Sequence, residues 1–394
     1  MIGTGTLLIR AGLVGYALCA PFSLSAATVM FLMALAGGAL NWVAGEWPST
    51  ESSVGWAILA YLAVKLVTGG LAYDARMGMR EFFHLWPWLL VWVMPYAVRT
   101  GPARVTLYRI FAVSCGLASL YAVVQNLTGI DVWRDSHLPD VMGRYPAVGF
   151  FDNQQTWAGF ALVASLYLAG VAMESARQRL LFAAGSVLSL LGAVASQIRG
   201  TLIGLAAGVA VWVVHSRRGV QTALWFVAAA CVALWLSPGT LIRFNELKDR
   251  SLNPAVDISR PYIWTTAWTM GAQRPLLGVG PGNFETVYET TKPDAWARTM
   301  GHAHNEWFQE WATSGLPGVL AFTWLLFVVT RALWQRRRTG GLPALAAWVG
   351  LSASALLQCQ FGDDEVLMAA LFVACLGLRS EPDAADNTKE GRAA

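Results

Sequence analysis

The sequence predicts an all-α integral membrane protein with about twelve transmembrane helices and one large loop outside the membrane. Of its 394 residues, 56% are hydrophobic and 13% are charged, whereas soluble domains carry about 25% charged residues. The mean hydropathy is +0.47, and the 19 tryptophans suit the aromatic belts at a membrane surface. This composition excludes a disordered chain, a coiled coil and an ordinary soluble enzyme.

Twelve apolar stretches account for the predicted helices, because a transmembrane helix needs about 20 mostly apolar residues. They lie at 4–20, 22–40, 54–69, 83–98, 105–126, 150–173, 179–197, 200–214, 220–237, 304–330, 342–360 and 363–379. Only the break around Pro21 separates the first two stretches, so the hairpin predicted there rests on that residue and its neighbours.

Arginine clusters predict how these helices are oriented. Cytoplasmic loops are enriched in Lys and Arg, and such clusters occur at 177–179, 217–218 and 331–338. Alternate loops are therefore predicted on the outer side of the membrane. These outer loops are 127–149, 198–199, 238–303 and 361–364.

The loop 70–82 conflicts with this rule, because it falls on the outer side and yet carries Arg76 and Arg80. Either the count of spans is off by one, or these arginines have a role outside. Arg199 also lies on the outer side, which favours the second interpretation.

The pattern divides the chain into nine transmembrane helices, a large outer loop, three more helices and a polar tail that is predicted to be disordered in the cytoplasm. The boundaries are 1–237, 238–303, 304–379 and 380–394. Within the loop, 261–273 has Trp264, Ala267 and Trp268 at helical spacing, which predicts a short amphipathic helix along the membrane surface.

Two arginines of the outer side are candidates for anion binding. Arg199 lies in a minimal turn between two apolar stretches, where an unpaired charge is costly. Arg260 follows Ser259, a good N-cap, so it is predicted at a helix N-terminus, where free N–H groups favour an anion. The alternatives are a snorkelling Arg199 and a surface Arg260 that pairs with Asp257.

The segment 275–284 has glycines at 278, 280 and 282 and superficially resembles a nucleotide-binding loop. No βαβ unit surrounds it, and an isolated glycine-rich match is weak evidence. A tight turn against the transmembrane core is the preferred interpretation.

His302 and His304 lie where an apolar stretch begins, and histidine is the usual general base near neutral pH. A place in the first helical turn, together with partial burial, would lower the pKa of His304 and keep its imidazole neutral. A metal site and a purely structural histidine pair are the alternatives. Glu306 is expected to point elsewhere, because alternate helical residues do not share a face.

Metal sites have little other support in the sequence. The five cysteines lie in separate apolar stretches without CxxC spacing, which predicts neither a disulfide framework nor a zinc site. Asp363, Asp364 and Glu365 could hold a divalent cation, but they are expected instead to solvate a tight loop or to pair with outer arginines.

Taken together, the motifs resemble the bacterial O-antigen ligase and O-antigen polymerase superfamily, and within it O-antigen ligase. They are Ser196-Gln-Ile-Arg199-Gly, Arg260-Pro-Tyr-Ile-Trp264, Pro275-Leu-Leu-Gly-Val-Gly-Pro-Gly-Asn-Phe284, His302-Ala-His304-Asn305 and Gly315-Leu-Pro-Gly318. The resemblance covers roughly 150–320. The order and spacing of the motifs are more specific than any single motif.

The resemblance implies a GT-C-like membrane glycosyltransferase in the inner membrane of a Gram-negative bacterium, with its active site on the periplasmic side. Such an enzyme transfers a polysaccharide from undecaprenyl diphosphate to a sugar hydroxyl of lipid A–core, and an in-line displacement implies inversion. Its partners would be those two lipid-linked substrates and membrane lipids. No metal, other cofactor or nucleic acid is expected.

On this resemblance, Arg199 and Arg260 would clamp the diphosphate, and His304 would deprotonate the acceptor hydroxyl. The residues expected to contact substrate in supporting roles are Arg80, His302, Asn305, Tyr262, Trp264 and Asn153. Asn153 matches the family pattern only loosely and is expected at most to contact a sugar.

Three rival functions share many of these features. An O-antigen polymerase and a protein O-oligosaccharyltransferase use a similar donor with a different acceptor, although the latter tends to carry an extra C-terminal domain. A lipid-linked sugar transporter would not need His304 and should show internal repeats. No internal repeat is visible in the sequence.

Overall fold

The protein is built almost entirely of α-helices. The computed structural model describes residues 3–45, 52–97, 101–140, 145–216, 219–236, 259–292 and 299–378, and about 78% of it is helical. Within these ranges the β-structure is one antiparallel pair, in which β1 (Ile130–Asp131) pairs with β2 (Ser136–His137). The tail at 380–394 and the whole of 238–258 lie outside the described residues.

Fifteen α-helices are described in these ranges. In chain order they are α1 Thr4–Cys19, α2 Leu24–Val43, α3 Ser52–Gly70, α4 Ala75–Phe83, α5 Leu90–Ala97, α6 Gly101–Thr128, α7 Gln154–Glu174, α8 Arg179–Ala195, α9 Arg199–His215, α10 Gly219–Leu236, α11 Ser259–Gln273, α12 Phe284–Thr291, α13 Glu306–Trp334, α14 Leu342–Ser354 and α15 Asp364–Leu378.

Five helices of the described residues are long and apolar enough to cross a membrane. These stretches are Leu24–Val43, Ser53–Gly70, Arg104–Thr128, Gln154–Glu174 and Glu306–Trp334. Three apolar helices, α1, α8 and α9, are shorter. A nearly all-α fold with candidate membrane-spanning helices is thus confirmed, whereas the count of twelve spans and the GT-C-like arrangement stay predictions.

The stretch predicted as one helix at 83–98 is broken, so that prediction is wrong in detail. α4 ends at Phe83, a 3₁₀ turn covers Trp86–Leu89, and α5 starts at Leu90. Pro87 stands in the first turn of the 3₁₀ segment. Its ring has no N–H to donate to a preceding carbonyl, which prevents one continuous helix.

Helix α7 is the central element of the transmembrane core. Seventeen of its residues are buried, and α8, α9, α14 and α15 pack around it. The indole of Trp157 donates to the carbonyl of Gly192, at 3.0 Å. Where α9 crosses α14, Gly204 and Gly350 face each other so closely that a side chain on either would overlap the opposite backbone. Small residues of this kind bring transmembrane helices into backbone contact.

Helix α13 is interrupted at Gly315, whose φ of 62° is left-handed. Pro317 follows and has no N–H, so the carbonyl of Thr313 lacks its usual helical donor. The break at Gly315 also turns Leu316 N–H away from the carbonyl of Ala312. The glycine-rich segment supplies replacements, since Val279 N–H donates to Ala312 at 2.8 Å and Gly280 N–H donates to Thr313 at 2.9 Å.

A third main-chain hydrogen bond runs in the opposite direction, from Leu316 N–H to the carbonyl of Pro275 at 2.7 Å. These three bonds form a joint between the segment 275–280 and α13. The segment 275–280 is thereby fixed to α13 through main-chain groups. This is the tight turn against the transmembrane core that the glycines predict, and no nucleotide-binding fold surrounds it in the described residues.

The same segment also binds the loop before α4. Tyr73 N–H donates to the carbonyl of Val279 at 3.1 Å, and Asp74 N–H donates to the Oδ1 of Asn283 at 2.8 Å. Residues 71–81 therefore lie on the same side of the molecule as 274–283. This contact supports the interpretation that Arg76 and Arg80 lie on the outer side.

We expect Gly280→Ala to weaken this joint. The φ of Gly280 is 96°, and an added Cβ would overlap Ala72. A residue forced into such a conformation costs about 1–3 kcal/mol, so the thermal unfolding midpoint of the purified protein should fall by several degrees. Gly70→Ala is the matched control, because a Cβ at Gly70 meets open space. Equal midpoints for the two variants would contradict the proposed role of Gly280.

Candidate active site

The two predicted histidines lie in a tight turn that leads into α13. Asn305 is the N-cap of that helix, and its Oδ1 accepts from Phe308 N–H at 3.0 Å. His304 therefore precedes the helix instead of lying in its first turn, and its φ of 50° is left-handed. This turn brings the rings of His302 and His304 together, with centroids 4.1 Å apart.

Helix α11 holds this turn in place. The indole of Trp264 donates to the carbonyl of Ala303 at 3.0 Å and stacks on Phe308, with ring centroids 5.5 Å apart. Helical spacing predicts α11 over 261–273, and it extends over Ser259–Gln273. The buried side chains of Ile263, Ala267 and Met270 form part of a small apolar core with residues of α12 and α13. Helix α11 thus carries Arg260 and also supports the histidine turn.

His304 has the electrostatic character of a neutral base. Burial lowers its pKa to about 4, and the nearby His302 and Arg260 act in the same direction, while a hydrogen bond with Gln358 acts against them. Burial also lowers the pKa of His302. At neutral pH His304 is therefore an uncharged imidazole that can accept a proton. The neutral state follows as the sequence predicts, but burial, and not the helix dipole, is its main cause.

Arg260 lies near this histidine, and Arg199 is linked to it through the neighbouring Gly200. Arg260 is the second residue of α11 and is near enough to His304 to affect its pKa. Arg199 is the first residue of α9. The next residue, Gly200, packs against Ser354 and Gln358. Because Gln358 is also near enough to His304 to affect its pKa, the segment around Gln358 connects the histidine with the start of α9.

A cavity of about 290 Å³ opens beside His302. Its floor contains Lys65 and Glu310, which are 7% and 2% exposed, and its lining also includes Glu306 and Asp363. Glu306 was expected to point away from the histidines, and it lines the same cavity as His302. The helix-face argument does not apply to His302, because it precedes α13.

Lys65 and Glu310 form a buried ion pair across α3 and α13, with 2.7 Å between Nζ and the carboxylate. The hydroxyl of Tyr61 donates to the same oxygen of Glu310 at 2.8 Å. Sequence reasoning missed this pair. The available signal was a lysine inside an apolar stretch, together with two glutamates four residues apart at the start of α13.

Two residues of the acidic trio at 363–365 contact side chains from other parts of the fold. Asp363 accepts from the hydroxyl of Thr156 at 3.0 Å, and Asp364 lies 3.4 Å from the Nδ1 of His84. Burial and the nearby Glu365 raise the pKa of Asp363 to about 7. Among the described residues, no group of three or more His, Cys, Asp or Glu is arranged to hold a metal ion.

Of the other predicted site residues, two have a structural partner and two are exposed. The Nδ2 of Asn305 donates to the carbonyl of Leu356 at 2.8 Å, so both ends of its amide are occupied. Asn153 is the N-cap of α7 and accepts from Gln155 N–H at 2.7 Å. Tyr262 is 41% exposed on α11, and Arg80 lies on the exposed surface of α4. Substrate contacts for these four residues stay predictions.

We expect Glu310→Ala to destabilise the protein, because it leaves the charge of Lys65 buried. Removing one partner of a buried ion pair costs about 3–5 kcal/mol. Replacing both partners in Lys65→Met/Glu310→Met should recover most of that loss. Thermal unfolding of the three proteins measures the effect, and a double variant no more stable than Glu310→Ala would refute the pairing argument.

The protonation of His304 provides a second test. NMR of histidine-labelled protein should give it a pKa below 5, and Arg260→Gln should raise that pKa without restoring 6.5, because burial persists. Arg179→Gln removes the same charge from the start of α8, an exposed position at the opposite end of the bundle, and should leave the pKa unchanged. A wild-type pKa near 6.5 would contradict the description of His304 as buried and neutral.

Comparison with known proteins places the motifs in a family. No curated protein matches the chain. A family model described as O-antigen ligase matches residues 184–323, a segment that runs from α8 into α13 and contains Arg199, Arg260 and His304. The match confirms the resemblance that the motifs carry: over residues 184–323 the chain is similar to O-antigen ligase.

Proposed function

We propose that the protein transfers an O-antigen polysaccharide from undecaprenyl diphosphate to a sugar hydroxyl of lipid A–core, which completes lipopolysaccharide. The observation that carries this proposal is the neutral His304 beside Arg260, inside the segment that matches the family. The family match supports a lipid-linked polysaccharide donor and a lipid acceptor in general. The particular donor and acceptor are part of the proposal.

His304 acts as the general base in this mechanism. It accepts the proton of the acceptor hydroxyl while that oxygen forms a bond to the anomeric carbon of the donor sugar. The contact with the ring of His302 and the neighbouring Gln358 hold the imidazole in place. Because burial keeps the ring neutral, the base is ready for use at physiological pH.

Arg199 and Arg260 stabilise the leaving group. The bond between the anomeric carbon and the diphosphate oxygen breaks as the new glycosidic bond forms, so negative charge accumulates on the diphosphate. Guanidinium groups bind phosphate through two parallel hydrogen bonds, and the start of α11 adds free N–H groups to this region. A single displacement of this kind inverts the anomeric centre, and arginine supplies the countercharge that a metal ion would otherwise provide.

In the proposed arrangement, both lipid-linked substrates reach the site from within the membrane. The periplasmic side of the inner membrane is the side that holds α4, α11 and the histidine turn, and a GT-C-like bundle of about twelve spans surrounds the site. Lipid tails of donor and acceptor would reach it through lateral openings between helices, with the loop 238–303 acting as a lid. Five apolar helices of sufficient length support this membrane setting.

A reconstituted transfer assay tests the proposal. Purified protein, undecaprenyl-diphosphate-linked polysaccharide and lipid A–core are combined in detergent with EDTA, and high-mass lipopolysaccharide is resolved on a gel. The wild type should form product, whereas His304→Ala should lose about 10²–10⁴-fold in rate because it lacks the base. His137→Ala, at an exposed histidine of β2, is the control and should retain full activity.

The arginines are tested in the same assay. Arg199→Ala and Arg260→Ala should each lose about 10²–10³-fold, as for other groups that stabilise developing charge, while Arg179→Ala should not. Elongation of the carrier-linked chain without transfer to lipid A–core would identify an O-antigen polymerase instead. Loss of wild-type activity in EDTA would overturn the metal-independent mechanism.

A further inference from the structure

The proposed mechanism leaves the cavity beside His302 unused. It lies between α3, α4, α12 and α13, and its volume of about 290 Å³ is at the lower limit of ligand pockets, which measure roughly 300–1,000 Å³. Such a space fits one sugar ring better than a chain or a lipid tail. The contact between the rings of His302 and His304 connects it to the proposed base.

Acidic and neutral polar groups dominate the lining of this cavity. Two carboxylates, Glu81 and Glu285, occupy exposed positions near its mouth, while Glu306 and Glu310 are buried at its floor. The cationic side chain in the lining is Lys65, which already pairs with Glu310. Burial lowers the pKa of His302, so its ring adds no positive charge at neutral pH. An anionic ligand would therefore find no available countercharge among these groups.

The buried acids are suited to hydroxyl recognition. Glu310 is 2% exposed, and its Oε2 has no hydrogen-bond partner among the described residues, whereas its Oε1 binds Lys65 and Tyr61. An ionised carboxylate accepts several hydrogen bonds, and a buried polar atom without a partner is unusual. Asp363, with a pKa near 7, both donates and accepts at neutral pH. Sugar hydroxyls supply both complementary roles.

We propose that this cavity holds the ring of the acceptor sugar and selects for an uncharged or amine-bearing sugar over an anionic one. This inference rests on the proposed function and adds a charge criterion for the acceptor. The diphosphate of the donor would bind the arginines beside His304, and the acceptor ring would bind among the carboxylates. Like charges at close range oppose binding, so Glu81 and Glu285 would exclude uronic acids and phosphorylated sugars at the mouth.

Competition in the transfer assay tests this selectivity. The probes are methyl glucoside, methyl glucosaminide, methyl glucuronide and glucose 6-phosphate, each titrated against lipid A–core. The first two should inhibit transfer at least about tenfold more strongly than the two anionic sugars. Saturation-transfer NMR of the same four sugars on the purified protein without donor measures binding independently of transfer.

Charge-neutral variants locate the selectivity in the cavity. Glu81→Gln and Glu285→Gln should narrow the difference between anionic and uncharged sugars several-fold without loss of folding, because both positions are exposed. Glu289→Gln is the matched control, since Glu289 lies one turn beyond Glu285 on α12 and pairs with Lys292 outside the cavity. It should leave the selectivity unchanged.

The outcomes separate this inference from the proposed function. Transfer by the wild type with equal inhibition by all four sugars, or with none, would overturn the cavity proposal and leave the transferase intact. An equal effect of Glu289→Gln and Glu285→Gln would also overturn it. Absence of transfer in the wild type would refute the proposed function. In that case the NMR arm still decides whether the cavity binds uncharged sugars.

Discussion

The main-chain joint between 275–280 and α13 fixes the glycine-rich segment, and with it the adjoining helices α11 and α12, against the helix that follows the histidine turn. Gly315 and Pro317 deprive two carbonyls of their helical donors, and the loop satisfies both. Buried carbonyls without partners are costly, so the break and the loop stabilise each other. From this joint, α11 extends on one side with Arg260 and Trp264, while α12 extends on the other and reaches the cavity.

Positive and negative side chains occupy different parts of the candidate site. Arg260 at the start of α11 provides positive charge near His304, and carboxylates line the cavity beside His302. The histidine pair lies between these regions and is neutral because it is buried. Charges interact more strongly in apolar surroundings than in water, because little water is present to screen them. A donor with a diphosphate and an acceptor with hydroxyls would therefore approach the base from opposite sides.

Much of the fold could be predicted from hydropathy, because apolar stretches and helix breakers are local signals. Most of the stretches start and end within a few residues of the helices, and the amphipathic spacing of 261–273 predicts α11. The exception is 83–98, where Pro87 breaks the helix. The candidate base and the two arginines could be selected because charged or titratable residues at the ends of apolar stretches are conspicuous.

The cavity could not be predicted in this way, because it depends on contacts between distant segments. Lys65 and Glu310 are 245 positions apart in the chain and meet only when α3 packs on α13. The geometry of His302 and His304 depends on a left-handed φ at His304, and a helix-face argument cannot represent such a turn. Glu81 joins the cavity because α4 is bound to the glycine-rich segment.

A joint of main-chain hydrogen bonds tolerates mutation differently from one built of side chains. The groups that bind 275–280 to α13 are amides and carbonyls, which every residue except proline retains when its side chain changes. Leu276, which is 67% exposed, can therefore vary widely without loss of the joint. Selection would act instead on size and φ at Gly280 and Gly315. The loop is thus free to change the surface it presents while the distance between Arg260 and His304 stays fixed.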